Sequence, residues 1–427
     1  MHVAETEKFG KRSVVTLIML SIVGALNYSD RQILSVLIEP IRAELHFSDS
    51  KLGLLTGLAF AIFYAVFGLP AALMADRWHR IRLIAIACLI WSACTAATGS
   101  VRSFGTMALA RFGVGIGEAG GTAPSLSVLA DCFPRRHRPL VVGLFTFNGP
   151  VGVFIGGAFG AWAATTIGWR AAFWVLGAVG LLAAPLLLIT VRDPVRGQFD
   201  GETDAAVRVS LAETLRIFIK DPALRLVSIA SGLSAFLSYG MLNWIPAYLM
   251  RVQHMPLAAI GTWFAPVAGI AFGIGMIGGG AWVTAAVKRA MGGYGRVTAI
   301  CTALLIPFFA AALWVNDWHA SLILMFMPMV FCTVFTPASL ALAQELGPRG
   351  ARATVAATLL LMFNIVGLGL GPLFVGMISD ALKASQGVES LRFGLALLIV
   401  PAALAALAHG QLGRMLDKRT KSGIAHG

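Results

Sequence analysis

The chain has 427 residues, of which 58% are hydrophobic and only 12% charged, and it carries a formal net charge of +13. Soluble domains hold roughly 25% charged residues, so water is excluded as the solvent for most of this surface. The basic excess comes without an arginine-rich arm or a recognition module, which argues against a nucleic-acid partner.

Apolar stretches of about 20 residues, enough to cross a hydrocarbon core of about 30 Å, recur along the whole length. In chain order they cover 14–38, 52–75, 82–101, 104–130, 139–166 and 170–191, then 223–250, 258–286, 296–315, 319–345, 353–379 and 391–414. No strand-like alternation competes with them, so the expectation is an all-α integral membrane protein with twelve transmembrane helices. The first stretch is too long for a signal-peptide core and no small-residue cleavage site follows it, so it is read as a retained first helix.

One polar connection, from Arg192 to Pro222, is much longer than the others. It divides the chain into an N-terminal six-helix bundle (1–191), a cytoplasmic linker (192–222) and a C-terminal six-helix bundle with a basic tail (223–427). Basic residues set the orientation. With the N-terminus in the cytoplasm, only Arg42, Lys51, Arg102, Arg170, Arg251, Lys383 and Arg392 of the 33 Lys and Arg fall on the far side, and Arg31 and Arg111 lie within spans. This asymmetry predicts a multi-pass protein of the bacterial inner membrane with both termini cytoplasmic.

The two halves share residues at an offset of 214. Ser125 pairs with Ser339, Asp131 with Glu345, Pro134 with Pro348, Arg135 with Arg349 and Arg138 with Arg352. Such a parallel repeat predicts two pseudo-symmetric bundles with a substrate cavity between them near the bilayer midplane. At the same offset Arg111 and Glu118 of the fourth pass correspond to Met325 and Cys332 of the tenth, so ion coupling is expected in the first half alone.

Each ionisable residue at a helix centre costs about 2.5–3.5 kcal/mol on insertion scales, which singles out Asp30, Arg31, Arg111 and Glu118. Arg111 and Glu118 are nearly two turns apart and share a helix face. If the first pass packs beside the fourth, the four form a cluster whose formal charges cancel. A buried carboxyl favours its neutral form and a neighbouring guanidinium its charged form. The cluster therefore suits proton coupling, with Glu118 or Asp30 binding the proton and Arg31 and Arg111 alternating between carboxylate and an anionic substrate.

After the second pass, Asp76, Arg77, Arg80 and, after the fourth, Arg138 predict a cytoplasmic charge latch, with Asp76 capping the third helix or pairing with a neighbouring helix end. Tyr28, Phe60, Tyr64, Tyr239, Asn243, Trp244, Phe331 and Asn364, with Arg31 and Glu118, are the candidate lining of the substrate cavity. Glycines at 149, 152, 156 and 157, with Pro150, and again at 367, 369 and 371, with Pro372, predict close helix contacts and bends. The five cysteines lack metal-ligand spacing and read as small apolar residues. No metal, nucleotide loop, nucleophile elbow or cofactor motif is present, so the expectation is a carrier and no enzyme.

The motifs NYSDR (27–31), GLLTGLAFAIFYAVFGLP (53–70), ADRWHR (75–80), RFGVGIGEAG (111–120), LADCFPRRHR (129–138) and GWRAAF (168–173) resemble the major facilitator superfamily and, within it, the spinster type. The likeness is strongest in the first half. It implies the major facilitator fold, alternating access by a monomer, proton-coupled or facilitated transport of lysophospholipids or sphingosine phosphates, and a coupling role for Asp30, Arg31, Arg111 and Glu118. Two departures stand out: His79 replaces the usual Gly of the loop after the second pass, and AWVTAAVKRAMGGYGR (281–296) lacks an acid matching Asp76. The alternatives to a lipid-like anion are small sugar acids or carboxylates, shared by related symporters, and a non-transporting receptor.

Overall fold

A computed structural model describes residues 10–197, 199, 211–347 and 352–421. Pro348 and Arg349 of the repeat lie outside them, as do the side chains of Asp76, Arg135 and Arg352. The described chain is helical, and ten stretches are long and apolar enough to cross a membrane. One of these, Thr354–Thr420, contains two passes, and the fourth pass is too interrupted to qualify as a single long helix. With both taken into account the described residues make twelve passes. Large side chains such as Leu182, Ile189 and Ile323 are more than 70% exposed, as suits surfaces solvated by lipid.

The passes are α1 (Lys11–Val36), α2 (Leu58–Arg77, led by a short helix Asp49–Thr56), α3 (Arg80–Thr98), α4 (Phe104–Glu118, resuming as Thr122–Cys132), α5 (Asn148–Thr166, led by Arg138–Thr146) and α6 (Trp169–Thr190). They continue as α7 (Pro222–Arg251), α8 (Ala265–Val287, led by a π-helical turn Ile260–Phe264), α9 (Gly293–Trp314) and α10 (Trp318–Phe331, resuming as Phe335–Leu346). The last two are α11 (Arg352–Met362, a π-helical stretch Phe363–Leu370, then Gly371–Gln386) and α12 (Ser390–Ala396 and Ile399–Lys421). An additional helix, Leu211–Lys220, precedes α7; the polar composition of the connection hid it, although Phe218 is buried against the second half.

Internal symmetry extends from sequence to packing. α1 lies against α5 and α7 against α11, while α3 pairs with α6 and α9 with α12. Glycine permits the tight crossings: a Cβ on Gly156 would stand 2.5 Å from the Ser29 carbonyl oxygen of α1, and one on Gly371 would stand 2.5 Å from the Phe236 carbonyl oxygen of α7. Both α4 and α10 break at equivalent places. α4 stops at Glu118 and α10 stops just before Cys332, its counterpart at the offset of 214.

The first six passes meet the last six along α1 and α7, α2 and α11, and α5 and α8. At one end, which carries Arg251, this seam is tied by charge. The opposite end, which carries Arg80, holds its ion pairs within each set of six passes among the described residues.

Candidate functional site: a buried charge cluster between the first and fourth passes

α1 and α4 bring four charges together in crossed pairs. Arg111 donates from Nη1 to Asp30 Oδ2 at 2.9 Å, and Arg31 donates from Nε and Nη2 to Glu118 Oε2, each at 2.7 Å. Asp30, Arg111 and Glu118 are at most 1% exposed. Their burial is tolerable because each charge has a hydrogen-bonded counter-charge; an isolated one is far costlier. Thr95 of α3 donates from Oγ1 to Asp30 Oδ1 at 2.6 Å, which fixes the carboxylate from a third helix.

The two pairs differ in access. The Asp30–Arg111 pair is sealed, whereas the Arg31 side chain is 17% exposed. Three rings surround its guanidinium: Phe60 at 4.6 Å, Tyr64 at 5.0 Å and Tyr28 at 5.5 Å. Tyr28 is itself 38% exposed. From the second set of passes, Tyr239 comes within electrostatic reach of Arg31, Tyr28 and Tyr64. A cation presented on aromatic faces beside open space suits an anion that also has apolar parts. Glu118 Oε1 and Arg111 Nε make no hydrogen bond among the described residues. The carboxyl thus keeps one oxygen available to take a proton.

Other candidates separate from this group. Trp244 is fully buried and donates from Nε1 to the Pro372 carbonyl at 2.8 Å, so it joins α7 to α11 and does not line open space. Asn364 is half-buried in the π-helical stretch and donates to the Leu360 carbonyl. Asn243 Oδ1 is buried without a partner among the described residues, and its backbone carbonyl accepts from Ser35 Oγ of α1 at 2.6 Å. Phe331 is half-buried in α10, packed into the apolar core.

Of the expected latch, the Asp76 side chain lies outside the described residues. His79 caps α3, accepting from the Arg82 N–H. Arg80 is 1% exposed and bonds Asp193 Oδ1 from Nε at 2.9 Å, Pro194 O from Nη2 at 2.8 Å, Ser127 and Asp131. Every one of these partners belongs to the first six passes or the segment just after them. Arg80 therefore staples α3, α4 and the end of α6 to one another, and does not close the seam. Arg138 donates to the Phe133 carbonyl within its own turn, and Arg77 is exposed.

Ion pairs that do cross the seam lie at the other end. Arg251, at the end of α7, contacts Asp49 through Nη1 at 2.6 Å and Nη2 at 2.9 Å, and Glu39 through Nε at 3.0 Å. Asp49 also accepts from Ser379 Oγ of α11 at 2.6 Å, and its N–H donates to Asp380. Sequence reasoning counted Arg251 only as one of the few basic residues on its side of the membrane. That scarcity was the available signal, because a basic residue there needs a reason other than topology. His409, 1% exposed and 3.0 Å from Ser234 Oγ, was likewise missed in a half read as apolar and neutral.

Residues 20–372 match the family model of the Major Facilitator Superfamily. The chain is 31% identical over 386 residues to an MFS-type efflux pump of Mycolicibacterium smegmatis, covering 90% of this chain and 88% of the pump. It is 29% identical over 245 residues to protein spinster homolog 1 of Xenopus laevis, a match over 56% of this chain that spans about half the length of that relative. A crystal structure of a bacterial homolog of the human lysosomal transporter spinster, in an inward-facing and unoccupied conformation, superposes with a TM-score of 0.85 at 26% identity, covering 96% of this chain and 98% of that one.

Proposed function

Since this chain belongs to the Major Facilitator Superfamily and is of its spinster type, we propose that it is a proton-coupled carrier of an amphipathic anion, of the lysophospholipid or sphingosine phosphate kind. It is a multi-pass membrane transporter and not an enzyme. On this reading it works as a monomer in the bacterial inner membrane with both termini in the cytoplasm, and the bundles 1–191 and 223–427 rock about the linker 192–222. The Arg80 end is then cytoplasmic and the Arg251 end periplasmic.

The observation that carries the proposal is the unequal access of the two ion pairs. Arg31 alone of the four charges reaches open space, and it does so on a platform of Tyr28, Phe60 and Tyr64. An incoming phosphate competes with Glu118 for the Arg31 fork, which suits bidentate recognition. As Arg31 turns to the substrate, Glu118 is left buried without its counter-charge, and such a carboxyl takes up a proton. Return of Arg31 after release expels that proton. The Asp30–Arg111 pair, held by Thr95, keeps α1 and α4 in register throughout. Ion pairs across the seam at the Arg251 end, with none among the described residues at the Arg80 end, favour alternating access with the cavity reached from the Arg80 side in this state.

The test is uptake by the purified protein in liposomes. Labelled lysophosphatidic acid and labelled hexuronate are offered separately, with and without an inward proton gradient. Gradient-stimulated uptake of the lysolipid, lost on Arg31→Gln, is expected. Uptake of hexuronate alone moves the substrate class to small sugar acids, and gradient-independent uptake removes the proton.

A further inference from the structure

Away from the charge cluster, a cavity of about 670 Å³ opens between α3 and α6 at the Arg80 end. Its lining has an ordered polarity. On α3, Arg82 stands one turn outside Ile86; past the end of α6 at Thr190, beyond the extended Val191, Arg192 lines the groove together with Leu188 of the last helical turn. Residues four apart share a helix face, so α3 presents a guanidinium at the membrane end of the groove and an aliphatic side chain about 5.4 Å deeper, while the segment just after α6 brings Arg192 to the same lining as Leu188. Trp78, 42% exposed, forms the rim, as aromatic side chains do at the level of lipid headgroups. Ile86 and Leu188 are 44% and 45% exposed.

The charge of this groove is positive. Among the described residues its lining holds one acid, Asp193, which is committed to Arg80 and to His79 at 3.5 Å. Arg82 and Arg192 are exposed and form no ion pair with any described residue. Topology accounts for basic residues at this end of the protein, but not for two of them on the rim of a cavity with apolar walls.

We infer that this groove is a binding site for an anionic glycerophospholipid of the adjoining leaflet, with the phosphate between Arg82 and Arg192 and an acyl chain along Ile86 and Leu188. Guanidinium forks match phosphate oxygens, and basic pockets between helices at a charged leaflet select anionic headgroups. The site is separate from the transport cavity, since its walls are the outer faces of α3 and α6. Arg80, which joins α3, α4 and the segment after α6, lies directly behind it, so a bound lipid bears on the staple of the whole half. Only the name of the leaflet, cytoplasmic, rests on the topology proposed above.

The test uses the full-length protein in nanodiscs containing phosphatidylglycerol or phosphatidylcholine with the same photoactivatable acyl chain. Cross-linked peptides are mapped by mass spectrometry, which reads position on the chain whatever the orientation, so an error in topology leaves the result intact. Labelling of residues 78–90 and 186–192 should be about tenfold to thirtyfold stronger from phosphatidylglycerol, as expected for two guanidiniums near a phosphate. It should fall to the phosphatidylcholine level in the Arg82→Gln, Arg192→Gln double variant, and should persist in excess inorganic phosphate. Equal labelling by the two lipids in the unaltered protein overturns the inference even if the double variant does not fold. So does labelling that ignores the substitutions, and displacement by inorganic phosphate assigns the groove to a free anion instead.

Discussion

Removing the Arg251 guanidinium should open the seam it closes. Arg251→Met keeps much of the side-chain volume but removes the cation that reaches Asp49, 2% exposed, and Glu39 from the other half, leaving them only Arg42 of their own half at the longer distances of 3.4 and 3.5 Å. Breaking a buried ion pair from one side typically costs about 3–5 kcal/mol. The Asp49 contacts fall in this class; the Glu39 side chain is 19% exposed and adds less. The whole penalty is paid only while this end is closed, because opening returns both carboxylates to water. A shift of about 3 kcal/mol moves the equilibrium by about two decades toward the open state. The assay is electron-spin distance measurement between labels at Arg102 and Val388, which are exposed at this end on opposite halves. The native cysteines are replaced first. The unaltered protein should give the short distance, Arg251→Met a dominant long one, and a triple variant with Glu39→Gln and Asp49→Asn an intermediate mixture. A distance distribution unchanged by Arg251→Met, in protein that binds and folds normally, refutes the assignment of this cluster as the closing bond.

Three further outcomes follow from the geometry. Thr95→Val deletes the donor to Asp30 and should lower folding stability by about 1.5–3 kcal/mol, the worth of a hydrogen bond to a charged group, while Thr95→Ser should stay near the parent; unfolding by denaturant distinguishes them. Gly156→Val places a side chain where the Ser29 carbonyl stands 2.5 Å from the first added carbon, so α1 and α5 must separate, and overpacking of this kind costs about 1–3 kcal/mol or more, read as a lower melting temperature. Glu44 has its carboxyl held below the usual range by hydrogen bonds from Arg170 and Trp169. A depressed carboxylate stabilises the fold above its unfolded value of about 4.3 and loses that contribution as pH falls through the folded one, so the melting-temperature gap between the parent and Glu44→Gln should be present at pH 7 and close in acid.

Much of this molecule was legible in its sequence because the bilayer imposes simple rules. Apolar length marked the passes, and the cost of burying charge marked Asp30, Arg31, Arg111 and Glu118, which the structure brings into two pairs. The helix interruptions were harder to read. The break after Glu118 falls in Ala119-Gly120-Gly121, a run that composition alone reads as close packing, and the π-helical stretch at Phe363–Leu370 carries no local sequence rule. Partner choice was also beyond the sequence. Asp193 and Asp131 converge on Arg80, and Glu39 and Asp49 on Arg251, across long separations that only tertiary packing closes. Trp244 illustrates the same limit: its position between Tyr239 and the end of α7 suggested the cavity, but rotation of the helix turns its ring toward Pro372.

In the proposed cycle Glu118 gives up Arg31 and takes a proton while substrate is bound. The most direct measurement compares two modes of transport in Glu118→Gln liposomes, whose amide cannot carry the proton. Exchange of labelled for unlabelled substrate across the membrane should continue, and accumulation driven by a proton gradient should vanish. Accumulation at the parental rate in that variant contradicts the account.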